Sequence, residues 1–355
     1  MGFRLPLVSA LVWLATVSLA DAQTVISIET VHDADHSAIV AHSFAQSERV
    51  TTLGHVSHRS GMAPIATLSH DGNTLALLNV SQSGEPRRHA DLLRFDVQTR
   101  EMRVLMSGLQ AVPAVFSASD HEVFVVRSEA VALPTDDETR TGHLENERLR
   151  LLAVDPDTGR SREVMTDVAY MLHPIGVAAS GELVAIRAAW NGGRVVAIHT
   201  TTGRERTLLH SSIDAFRDAS LSSDGTSVVT LRRNGQSSDV VRAFIEDGAT
   251  EVVLRDVDSD AAPLAVGPRS TLITNGHSEL RLVGPSAALP VWSTGGSSWL
   301  HAIAASRSTS IVWMESVSES AREVLVLRTD TGACTPLRLP RGTVVHVAGV
   351  AESAP

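Results

Sequence analysis

The sequence predicts an all-β fold, a β-propeller closed into a ring, and three observations predict it. Short apolar runs rich in Val, Leu, Ile and Thr follow one another along the 355 residues, with no intervening stretch that has the period of an amphipathic helix. Pairs of these runs flank a tight polar turn whose first residue falls at 69, 117, 178, 222, 267 and 305, in steps of 48, 61, 44, 45 and 38 residues. A second turn, at 155–159, 200–203, 246–248 and 329–332, divides the later strands of the same units. Four short strands in every 40 to 50 residues or so is the spacing of propeller blades.

The elements follow in order. Residues 1–22 carry Arg4, then the mainly apolar run Leu5 to Ala20, then the small residues of Ala20-Asp21-Ala22. That is the pattern of a secretory signal cleaved before Gln23, and the run is shorter than the roughly 20 residues a spanning helix needs. Residues 23–355 read as one domain, because blades share buried layers with their neighbours and need no second core. Three strand-like runs come first, Val25 to Thr30, Ala38 to Phe44 and Glu48 to Leu53. Six units then run from about residue 61 to 340. The first is Ile65 to Leu78, and its copies span Ala114 to Val126, Ile175 to Ile186, Ala219 to Leu231, Leu264 to Thr274 and Ala302 to Trp313. Val344 to Val350 is left at the C-terminal end. One strand from that end and three from the other complete a four-stranded blade and remove two free sheet edges. Seven blades are expected on this ground, with six as the alternative.

The turns Ser69-His70-Asp71-Gly72 and Ser222-Ser223-Asp224-Gly225, with the later Asp-x-x-Thr-Gly turns, resemble the TolB-like (WD-like) propeller repeats of bacterial exported proteins. His70 and Ser223 stand where those repeats carry proline. The resemblance extends over nearly all of residues 23–355 and implies a fold and an exported setting, periplasmic or extracellular, without implying an activity.

Composition narrows the function. Forty acidic residues against 30 basic ones give a formal charge of -10, which argues against a sequence-independent grip on nucleic acid or anionic lipid. All 30 basic residues are arginine, so a Schiff-base lysine and a phosphate-loop lysine are excluded. The single cysteine, Cys334, excludes an intrachain disulfide and a multi-cysteine zinc site, and reads as a small buried hydrophobe. His32-Asp33-Ala34-Asp35-His36 reads as a hairpin turn rather than a zinc site. Asp256 to Asp260 opens like a calcium loop, but Ala261 and Gly267 stand where such a loop needs Gly and Glu. No Gly-x-Ser-x-Gly elbow is present. No metal, cofactor or catalytic residue is therefore assigned.

Strand alternation places the first and third turns of every unit on one face. The other face receives the loops between second and third strands, together with the links between blades. That second face is the irregular one, where binding residues are expected on a rigid scaffold. Its links bring Tyr170 and His173, then Phe216, Arg217 and Asp218, then Trp299 and His301 to the entrances of three innermost strands, and a loop adds Trp190. Ser128 to Arg148 forms a long acidic insertion. The expectation is a non-enzymatic, monomeric propeller, without a stable membrane span, that binds a protein, peptide or envelope component at this face. The alternative is a lyase or hydrolase whose acid–base groups sit at the channel mouth.

Overall fold

The structure, a computed structural model, describes residues 24–31, 34–43, 49–80, 90–130, 147–169, 171–189, 192–211, 216–234, 236–258, 261–275, 279–285, 288–293, 299–305, 311–317, 322–328, 333–336 and 343–351. The N-terminal strands are β1 (Thr24–Val31), β2 (His36–Ser43) and β3 (Arg49–Ser57). The next two sheets hold β4 (Ile65–Leu68), β5 (Thr74–Val80), β6 (Ala90–Asp96) and β7 (Met102–Leu109), then β8 (Val115–Phe116), β9 (Val123–Ala130), β10 (Glu147–Val154) and β11 (Ser161–Ala169). They are followed by β12 (Met171–Val177), β13 (Glu182–Ala189), β14 (Gly192–His199) and β15 (Glu205–Ser211), then β16 (Arg217–Leu221), β17 (Ser227–Asn234), β18 (Ser237–Phe244) and β19 (Thr250–Val257). The last strands are β20 (Pro263–Ala265), β21 (Thr271–Asn275), β22 (Glu279–Val283), β23 (Ala288–Ser293), β24 (Trp299–Ala305), β25 (Ile311–Val317), β26 (Arg322–Arg328), β27 (Cys334–Pro336) and β28 (Thr343–Ala351).

Six sheets are each built from four consecutive strands, and one further four-stranded sheet joins both ends of the chain in the order β28-β1-β2-β3. We number this joined sheet first and the others second to seventh. Its junction is antiparallel, with Thr24 opposite Ala351 and Val31 opposite Thr343. The innermost strands β28, β4, β8, β12, β16, β20 and β24 lie each against the next, and β24 lies against β28. The molecule is an all-β propeller.

Packing explains why the middle strands read as continuous apolar runs instead of alternating ones. Each is sandwiched between two neighbouring sheets and buries both faces, as in β5, where every residue from Leu75 to Val80 is buried. Ile26, Ile28, Ile39, Leu75, Leu77 and Phe95 fill the layer between the first and second sheets. Each such side chain contributes about 1.5–3 kcal/mol by leaving water. Outer strands face solvent more: in β7, Met102, Arg103 and Val104 are exposed. Register shifts interrupt the outermost pairs β2–β3, β6–β7, β10–β11, β14–β15, β18–β19 and β22–β23. A bulge there adds local twist, which lets blades fan outward from a tight centre.

Among the described residues no helix is long and apolar enough to cross a membrane. Cys334 is half-buried, and burial pushes its thiol pKa up.

Candidate functional site

The turn face is held by its own side chains. Ser222 Oγ accepts from the Ser227 amide at 2.9 Å and donates to Asp224 Oδ1 at 2.7 Å, and Asp224 accepts in turn from the Thr226 amide. Ser69, Asp71 and Asn73 repeat this arrangement. Burial alone would raise the Asp224 pKa, but the bonds from Ser222 and Thr226 outweigh it and hold the carboxyl below its usual value. Gly225 is needed twice over, since its φ is +69° and a Cβ there would meet the Ala179 amide nitrogen at 2.6 Å.

The third turns share a second device. Asp96 Oδ1 accepts from the amides of Gln98 and Thr99, and Asp155 Oδ1 from those of Asp157 and Thr158. In the next turn His199 Nδ1 takes the same role toward Thr201 and Thr202. These amide bonds hold the Asp96 and Asp155 carboxyls below the ordinary carboxylate pKa.

Arginines one residue into the outer strands then tie sheet to sheet. Arg103 reaches the carbonyls of Pro156 and Asp157, Arg162 that of Thr200, and Arg206 that of Ile245. Arg162 and Arg206 also hold Glu122 and Glu182 bidentately. These latches were not anticipated from the sequence; arginine recurring at the second place of three outer strands is the signal that could have revealed them.

The opposite end gathers the expected binding residues along innermost strands rather than at their entrances, because the links end sooner than the turn spacing implies. His173 is the third residue of β12, Arg217 and Asp218 are the first two of β16, and Trp299 and His301 are the first and third of β24. The side chains of Arg217, Asp218, Trp299 and His301 lie outside the described residues, as do Tyr170 and Trp190 altogether. The acidic insertion is described only at its ends.

His173 is half-buried, and desolvation lowers its pKa below 6.5. Phe216 is 3% exposed and packs with Ile186, Val195, Leu209 and Val228 between the fourth and fifth sheets, so its ring fills a core layer. His346, the fourth residue of β28, is a further innermost-strand histidine; burial lowers its pKa too, against a hydrogen bond to the Ala66 backbone.

Two groupings bear on catalysis. His42 Nε2 lies 2.7 Å from Glu29 Oε1 and 3.2 Å from Ser27 Oγ, which has the composition of a hydrolytic triad. Both contacts fall on one nitrogen, whereas a relay uses both, and His42 is 1% exposed. The cluster therefore holds the first sheet together. No group of three His, Cys, Asp or Glu side chains among the described residues is placed to bind a metal.

The turn face also carries an open groove of about 550 Å³, lined by Ala179, Ser180, Thr226, Phe244, Glu246 and Arg269 among others. The Arg269 guanidinium stands 5.5 Å from the centre of the Phe244 ring, within cation–π range.

No family model and no curated protein sequence matches the chain. Solved structures do. TolB from Acinetobacter baumannii aligns with a TM-score of 0.54 at 12% identity, over 94% of this chain and 66% of that one. An oligogalacturonate lyase from Vibrio parahaemolyticus aligns with a TM-score of 0.58 at 12% identity, over 85% of this chain and 90% of that one. A puromycin hydrolase S511A mutant aligns with a TM-score of 0.62 at 16% identity, over 90% of this chain and 54% of that one. The chain thus spans about two thirds of the TolB structure and about half of the hydrolase. Identities this low carry the fold and no activity. The chain has the β-propeller fold that these structures share.

Proposed function

We propose that this protein is an exported, non-enzymatic propeller that binds a protein or peptide of the cell envelope at the irregular face. The observation that supports the reading is the convergence of His173, Arg217, Asp218, Trp299, His301 and His346 within the first four residues of β12, β16, β24 and β28. Arginine and tryptophan are the side chains that most often anchor interfaces. The opposite face, by contrast, uses many of its donors and acceptors internally.

Affinity capture from envelope extract tests this, with residues 23–355 as bait beside a variant carrying Tyr170→Ala, Trp190→Ala, Arg217→Ala and Trp299→Ala. Phe216 is left intact, since its removal would open a core layer at about 3–5 kcal/mol. A partner held by the wild type and lost by the folded variant supports the reading. Equal capture by both refutes the assigned face.

A channel-mouth lyase or hydrolase is the second reading. It is favoured by burial that keeps His173 neutral at neutral pH, as a general base must be. Neither His173 nor His346 has a carboxylate partner among the described residues, which weighs against it. A turnover abolished by His173→Ala alone would reverse the order of the two readings.

A further inference from the structure

We propose that the groove beside Phe244 is a second binding site, on the turn face, for the carboxylate of a peptide. The third turns align residue by residue: Asp96 to Glu101, Asp155 to Arg160, His199 to Arg204 and Phe244 to Ala249. Each closes with the same backbone bond, from the amide of Arg100, Gly159, Gly203 or Gly248 to the carbonyl four residues back. Each makes the same late contact, with Thr99, Thr158, Thr202 or Asp247 accepting from the amide two residues on.

Their side-chain hydrogen bonding parts company at the first position. Asp96, Asp155 and His199 accept from the amides two and three residues ahead, and a phenylalanine ring has no acceptor to offer. The amides of Glu246 and Asp247 consequently donate to no group among the described residues, and both residues line the groove.

A positive charge stands beside these two donors. Arg269 is exposed, lies over the Phe244 ring and has no ion-pair partner among the described residues. Two backbone donors and a guanidinium form the donor set that a carboxylate takes, and the Phe244 ring with Ala179 and Ala249 offers apolar contact for the chain that bears it. Two carboxylates also line the groove: Glu246, whose place Asp157 takes in a turn that holds the Asp155 carboxylate at 2.7 Å, and Asp247, which stands where the sister turns have threonine and accepts from the Ala249 amide at 2.9 Å. The ligand supplies in trans the cap that sister turns carry in cis.

Fluorescence polarisation with three labelled hexapeptides tests the site. One has a single internal Asp and an amidated end, one has a free C-terminal carboxylate and no Asp, and one is fully neutral. At least one carboxylate peptide should bind more tightly than the neutral one, and which of them does so identifies a side-chain or a terminal carboxylate as the ligand. Arg269→Gln should weaken that binding about tenfold, the loss of one charge-assisted hydrogen bond.

Phe244→Asp restores the cap in cis, so it should abolish binding while melting at least as high as the wild type. If Phe244→Asp folds poorly, shifts of the Glu246 and Asp247 amide resonances on adding the carboxylate peptide to wild-type protein carry the same test. Equal binding of all three peptides, or carboxylate binding unmoved by Arg269→Gln and without those amide shifts, overturns the proposal. The site lies opposite the proposed partner face, so failure at one leaves the other standing.

Discussion

Gly225→Ala and Gly181→Ala form a pair that isolates what blade packing demands of one turn. Both glycines occupy the last position of equivalent turns in adjacent sheets, with φ of +69° and +81°. A Cβ at Gly181 meets nothing within 4 Å, so that substitution carries only the left-handed backbone penalty, about 1 kcal/mol. A Cβ at Gly225 would lie 2.6 Å from the Ala179 amide nitrogen and 3.1 Å from the Ala178 carbonyl carbon, both backbone atoms that cannot rotate away. The sheets must part locally, which adds about 1–2 kcal/mol of overpacking. The Ala179 amide bond to the Gly225 carbonyl, 3.0 Å long, is weakened as well, at about 1 kcal/mol. Gly225→Ala should therefore destabilise by about 3–4 kcal/mol against about 1 for Gly181→Ala. Urea unfolding followed by circular dichroism measures both, with equal slopes required for the comparison. If the two variants have the same midpoint, the close approach is not the constraint and the argument from packing fails.

Three further predictions follow from the same geometry. Arg162→Ala removes the bidentate hold on Glu122 and the bond to Thr200 in the next sheet. With the guanidinium half-exposed, about 1 kcal/mol should be lost, and the difference should narrow in high salt. Burial lowers the pKa of both His173 and His346 below 6.5, so below that pH the unfolded chain binds protons that the folded one resists. Their contribution to stability is complete above about pH 6.5 and falls as pH drops toward the folded values; a urea midpoint in the double variant with glutamine at both positions that declines as steeply as the wild type's would refute this. Cys334, half-buried with a raised pKa, should react with a thiol reagent about tenfold more slowly in the native protein than in urea, and equal rates would contradict its placement.

Local chemistry was legible in the sequence; contacts between blades were not. Ser222, Asp224 and Gly225 announce their turn because the bonds that shape it lie within six residues. The leftover runs at both ends were readable as one sheet because β1, β2, β3 and β28 are each apolar strands lacking a partner in the turn repeat. Phe216 shows the limit. Its place in a link suggested a ring at the rim, yet whether such a ring meets solvent depends on Ile186 and Val228 in two different sheets. The latches of Arg103, Arg162 and Arg206 were hidden for the same reason, since each ends on a carbonyl of the following sheet. Phe244 stands two residues before the turn that the sequence located at 246–248, and its oddity appears only once the four third turns are aligned by their hydrogen bonds.

The pairing of Thr24 with Ala351 also sets a timetable. At about 5–20 residues per second of synthesis, the first strand waits roughly fifteen seconds to a minute before its partner exists. Throughout that interval β1 presents an unsatisfied edge, in a topology whose last contact spans nearly the whole chain, which slows folding. Concerted closure of the ring after the whole chain has been made would avoid stranding that edge. A rearranged gene that opens the chain between two later sheets would make the first sheet contiguous and shorten the wait.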